Sequence, residues 1–333
     1  MRTSSNKEVD KAVASLRSSS VRTVERGIEQ CVKLFSDAAH LASVAESDAV
    51  EVLVMLLLPA DGHPLQLRAA SASALREIIA LDPDQRGVVA KHPEILNGLG
   101  TMLPAAGSSV QGANAAQVRC HSASTELFWK LGREKAFRRI ISKNCWSLHC
   151  LAALLSAPCK TAATSALWAL TMSPEVCAAT GKYKQLPALL KLVASPLETV
   201  AVEEESCQVR SYSAAVLGNL AAAPAVRAVL ISISTVLNAL AVSASRQAGW
   251  AVQRAALSAL WRIVVDGGRL ERRQVLCSAP QLLETLVQLI SAGEQTEVDQ
   301  DAVAREKVMY GTTMLGMLAE EKNCRGDAHL NAR

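Results

Sequence analysis

The stretch Val209-RSYSAAVLGNLAAAPAVRAVL-Ile231 carries seven alanines in twenty-three residues and no catalytic side chain. Its meaning emerges when it is set beside Leu67 "LRAASASALREI", Cys159 "CKTAATSALWAL" and Val252 "VQRAALSALWRI". All four segments have Leu at the ninth position and Leu or Ile at the twelfth: Leu75/Ile78, Leu167/Leu170, Leu217/Leu220 and Leu260/Ile263. Spacings of three and four place these residues on one helix face, and the small residues before them let a neighbouring helix come close. The alanines are therefore positional.

Weaker copies start at Val21, Arg119 and Lys307, the last with Leu315 and Leu318 at the ninth and twelfth places. After a Pro, Gly or charged break, each copy is followed by a second apolar helix, as in "PEILNGLGTML", "CWSLHCLAALL", "LPALLKLV" and "ISTVLNALAVS". Polar or Gly/Pro-bearing insertions such as "PADGHPLQ", "PAAGSSVQGANAAQ" and "SPLETVAVEEESCQ" fall between the second helix and the next copy. Repeats that cannot bury an apolar face alone must stack, which predicts an all-α, right-handed α-solenoid of about seven repeats. The expected division is an N-terminal extension over 1–20, the repeats over 21–319 and a C-terminal tail over 320–333.

"YKQLPALLKLV" after "TAATSALWALTMSPEVCAATG", together with "VRSYSAAVLGNLAAAPAVRAVLI", resembles the second helix, turn and third helix of the armadillo family. A consistent glycine before each copy is missing, although Gly62, Gly112 and Gly249 come close; a two-helix, HEAT-like form of the weaker repeats stays open. The resemblance implies a concave groove on the second helices. In the import adaptors of this family a regular Trp and Asn ladder lines that groove; here only Trp146, Asn97 and Asn238 are candidates and the ladder is broken, so an import adaptor is disfavoured. "EKAFRRIISKN" and "GTTMLGMLAEE" are also similar to armadillo subunits of ciliary radial spokes, which would imply a component docked among axonemal proteins.

Composition agrees with helices: half of the residues are apolar and only 3% are aromatic. A net charge of +4 from 35 basic and 31 acidic residues does not point to a nucleic-acid binder. Nine scattered cysteines and the absence of an apolar signal core lead us to expect a soluble, cytoplasmic chain without a disulfide framework or membrane contact. No nucleotide-binding or hydrolase motif is present, and none of the histidines precedes a Glu, so neither an enzyme nor a cofactor is expected. Cys145, His149, Cys150 and Cys159 are the densest group of soft ligands, but the first three sit in an apolar helix and CxxC spacing is absent, so they read as structural residues rather than a metal site.

Candidate partner-binding residues come from what differs between copies. Lys130, Arg133, Lys135, Arg138, Arg139 and Lys143 concentrate positive charge in "KLGREKAFRRIISK", which reads as a solvated turn or as a site for an acidic protein surface, with nucleic acid the remaining alternative. A smaller group, "GGRLERR", occupies the equivalent turn at 267–273, and "VEEES" at 202–206 reads as an acidic inserted loop. Trp168 and Trp261 share the tenth position of their copies, with Trp129 close by, either as packing between repeats or as aromatic anchors for a partner. Two functions follow: a scaffold docked in a large complex such as the ciliary axoneme, or an exchangeable adaptor that binds extended peptides.

Overall fold

The computed structural model describes residues 4–37, 40, 44, 47–59, 62–105, 112–198, 203–245, 249–294 and 302–330. The described residues are all-α. They divide into two compact units, 1–170 and 171–333, with the boundary inside one helix.

Three helix types recur in order. Long helices carry the sequence copies: α4 (Leu65–Leu81), α7 (Ala115–Leu131), α10 (Lys160–Thr171), α13 (Glu204–Ala221), α16 (Trp250–Val265) and α19 (Ala302–Leu330). Each of the first five is followed by a short helix: α5 (Pro83–Lys91), α8 (Lys135–Lys143), α11 (Pro174–Thr180), α14 (Pro224–Ser232) and α17 (Arg269–Ser278). A further apolar helix then completes the set: α6 (Ile95–Gly100), α9 (Trp146–Ala153), α12 (Leu186–Ala194), α15 (Ser234–Ala244) and α18 (Gln281–Glu294). Ahead of them lie α1 (Ser4–Leu16), α2 (Val21–Ser36) and α3 (Ala49–Met55). From Leu65 to Glu294 the repeating triplet has the three-helix, armadillo-like form.

The boundaries have local causes. Pro83, Pro174 and Pro224 open their short helices at a position whose N–H has no helical partner, where fixed φ assists the first turn. Asn114 caps α7 by accepting from the Ala116 and Gln117 amides, while the Gln117 side chain accepts from the Asn114 amide. Gly62 and Gly112, in the loops before α4 and α7, have φ of 66° and 87°, which glycine adopts without a Cβ clash.

Leu75, Ile78, Leu167, Leu170, Leu217, Leu220, Leu260 and Ile263 are all buried, as the repeat pattern requires. Burial of each such side chain contributes about 1.5–3 kcal/mol. The small residues do what their placement suggests: a Cβ on Gly218 would come within 3.0 Å of the Ala259 Cα, so α13 and α16 meet at backbone contact.

Several expectations need correction. The third copy registers at Cys120 rather than Arg119, because Phe128 and Leu131 fill its ninth and twelfth core places. In the last copy Leu318 is buried at the twelfth place as expected, while Met314 takes the buried place beside the half-buried Leu315. Residues 4–16 form a helix whose Val9, Ala12 and Leu16 are buried, and α1 packs on α2. The last helix, α19, runs as far as Leu330. The acidic "VEEES" opens α13 from an N-cap at Glu203, since Glu204 and Glu205 complement the positive end of the helix dipole; Val202 lies outside the described residues, as do parts of the inserted loops.

Candidate functional site

Two grooves of similar construction run between successive long helices, one in each unit. In the first unit Ala69, Ala70, Ser73 and Arg76 of α4 face Arg119, Ser122, Ala123 and Glu126 of α7 across about 390 Å³. In the second, Ser211, Ala215, Gly218 and Asn219 of α13 face Arg254, Ala255, Ser258 and Arg262 of α16 across about 430 Å³, with Tyr310 of α19 at the side. Small side chains set the floor low and longer polar ones form the rims. Such a surface receives an extended chain better than a compact small molecule.

Each groove holds one ion-paired arginine. Arg76 is tied to Glu126 and also pairs with Glu77 at 3.3 Å, and these carboxylates push its guanidinium pKa up. In the second groove Arg254 Nε donates to Glu306 at 2.9 Å, whereas Arg262 has no hydrogen bond or ion pair among the described residues.

The candidate residues separate into different roles. Lys130 and Arg133 lie over the Trp129 ring, at 4.7 and 5.5 Å from its centroid. Arg138 is not a free edge cation: its Nη1 donates to the Gly132 and Arg133 carbonyls at 3.0 and 2.6 Å, beyond the last turn of α7. Lys135, Arg139 and Lys143 remain exposed, one turn apart along α8. Trp261 meets Tyr310 edge-on at 5.4 Å, which favours its packing role. Trp168 is half-buried in α10.

Trp146, Asn97 and Asn238 stand on the α9, α6 and α15 helices and line neither of these two grooves. The Trp146 ring covers Gly100, where a Cβ would collide with it. Asn97 Nδ2 donates to Glu94 at 3.3 Å, and Asn238 Oδ1 is buried without a hydrogen-bond partner among the described residues.

Sequence reasoning also missed a capping device. The fourth residue of the short helices is Arg138, Cys177, Arg227 or Arg272 in "KAFR", "PEVC", "PAVR" and "RLER". Each reaches back to a carbonyl at the end of the preceding long helix: Cys177 Sγ to Thr171 at 3.0 Å, Arg227 Nη1 to Ala221 at 3.1 Å and Arg272 Nε to Val264 at 2.9 Å. Those carbonyls have no intrahelical partner, and a cation there also complements the helix dipole. Arg227 Nε additionally meets Glu271 of the next repeat at 3.2 Å, and Arg86, in the same place on α5, meets Glu134 of the next repeat at 3.4 Å. The shared fourth-place arginine was the readable signal.

Cys145, His149, Cys150 and Cys159 are buried. Burial pushes the Cys159 thiol up to about 11 and holds the His149 imidazole below its ordinary value. No group of three or more His, Cys, Asp and Glu suited to a metal occurs among the described residues. No single described helix is long and apolar enough to cross a membrane.

No family model and no curated protein matches the chain. Ninety-one chains of solved structures do. One is UNC-45 from Drosophila melanogaster, at 16% identity and a TM-score of 0.63; the match covers 96% of this chain and 37% of that one, so this chain spans well under half its length. A chain from a structure titled for a phosphorylation switch in the interaction between cadherin and beta-catenin matches at 13% identity over 95% of this chain and 62% of its own, but its TM-score of 0.45 carries no argument. The similarity to UNC-45 and the helix triplets together show an all-α fold of the armadillo-like solenoid class.

Proposed function

We propose that the chain is a non-enzymatic protein-interaction scaffold whose long-helix grooves receive segments of partner proteins. The observation that carries this reading is the recurrence of one open, small-floored groove at the same place in the repeats of both units.

The finer reading is a permanent subunit of a large intracellular assembly such as the ciliary axoneme. Irregular insertions and dissimilar groove linings support it over an exchangeable adaptor, because a repeated peptide ladder would need repeated groove residues. The test is affinity purification of the tagged chain with Ala70→Leu and Ala215→Leu, which fill the grooves from half-buried floor positions. Loss of specific partner proteins by a folded double variant supports the scaffold; unchanged partners refute the groove assignment. Retention of the tagged chain in detergent-extracted cilia tests the axonemal reading, and a wholly detergent-soluble pool contradicts it.

A further inference from the structure

The last long helix, α19, buries one stripe and exposes the opposite one. Ala304, Gly311, Met314 and Leu318 face inward, with Gly311 against Ile290 of α18. Arg305, Met309, Thr312, Gly316, Ala319 and Glu320 are exposed. At ~3.6 residues per turn the first five of these fall within about 80° of arc, so they share one face. No charged residue occurs from Val308 to Ala319. Met309 is 50% exposed, and a Cβ on Gly316 would meet nothing within 4 Å. Thr312 turns its hydroxyl back to the Val308 and Met309 carbonyls, at 2.7 and 3.3 Å, which satisfies it within the helix. Arg305 and Glu320 close the two ends of the face, and neither has an ion pair or hydrogen bond among the described residues.

This face is complementary to itself when reversed. Arg305 and Glu320 lie equally far on either side of the midpoint between Thr312 and Thr313, about 11 Å along the axis, and Met309 and Gly316 do so at about 5 Å, at ~1.5 Å per residue. An antiparallel copy of α19 centred on that midpoint sets Met309 of each helix over the open Gly316 of the other. The same register sets Arg305 of each against Glu320 of the other, so every contact occurs twice, as a two-fold axis requires. Parallel pairing would instead oppose Arg305 to Arg305 and leave the two Gly316 notches facing each other.

We propose that the outer face of α19 is a homodimer interface, occupied by the antiparallel α19 of a second copy of this chain. It is separate from the long-helix grooves and does not depend on their use.

The test is sedimentation velocity of the full chain over a concentration series, which should show a reversible monomer–dimer equilibrium. Gly316→Leu fills the notch from a position with open space around it, and should weaken the dimer at least about tenfold with unchanged circular dichroism. Arg305→Glu or Glu320→Arg alone opposes like charges and should also weaken it at least about tenfold. The variant that carries both reversals should regain the wild-type dimer, since only antiparallel pairing brings these two positions together. A chain that stays monomeric throughout the series overturns the inference. So does a dimer that none of the single substitutions weakens, because its interface then lies elsewhere. Loss in both single reversals without recovery in the double variant overturns the antiparallel register.

Discussion

Arg227→Ala tests the link between successive repeats most sharply. The side chain of Arg227 is only 8% exposed, and it joins the Ala221 carbonyl, at the end of α13, to Glu271 of the next repeat. Loss of a charged hydrogen bond to a carbonyl costs about 1.5–3 kcal/mol, and breaking a buried pair from one side costs about 3–5 kcal/mol. These figures overlap, and Glu271 keeps its hydrogen bond from the Gly268 amide at 2.8 Å while its side chain is 23% exposed, which lowers the penalty. A loss of about 3 kcal/mol is therefore expected. Urea denaturation followed by tryptophan fluorescence measures it in variants that retain only the second-unit residues Trp250 and Trp261. A double-mutant cycle with Glu271→Ala should show a coupling of about 1 kcal/mol or more. A change below about 0.5 kcal/mol with no coupling would mean that Arg227 is an ordinary surface cation.

Other substitutions separate structural from surface roles. Leu217→Asp should bury an unpaired charge between repeats and cost several kcal/mol; an unchanged melting temperature would refute the repeat register. Arg138→Ala should lower stability by about 1–2 kcal/mol through loss of its carbonyl bonds, whereas Arg139→Ala should leave the melting temperature unchanged; equal effects would contradict the capping role. Burial holds the His121 and His149 imidazoles below their ordinary pKa of 6.5, so both are neutral in the fold at pH values where the unfolded chain takes up protons. Stability should be intact above pH ~6.5 and fall as pH drops from there through the folded-state pKa values. A Tm profile from pH 7.5 to 5 reads this, and His121→Leu should flatten it; a slope of opposite sign would refute the assignment.

The fold was legible because the core is written at fixed positions. Leu at the ninth place and Leu or Ile at the twelfth recur where a helix face must be buried, and those residues are indeed in the core. The third copy slipped by one residue because Leu127 and Phe128 are both apolar and both buried, so the sequence alone could not choose between them. The grooves were harder to see. Alanine and serine at the contact between helices look the same in sequence whether a neighbour covers them, as at Ala259, or leaves them open, as at Ala215 and Ala255. The basic cluster misled for a related reason: sequence reports the charge of Arg138, not the carbonyls beyond α7 that consume it.

The scaffold account is tested most directly by site-specific photocrosslinking in living cells, with a benzophenone amino acid placed at Ala255 in the second-unit groove and, as a control, at Val88, an exposed position on α5. The account predicts discrete, reproducible adducts to the same partner protein from Ala255 and none to it from Val88. Adducts to that partner from Val88 alone, or from both positions alike, would contradict the claim that the long-helix groove is where partners bind.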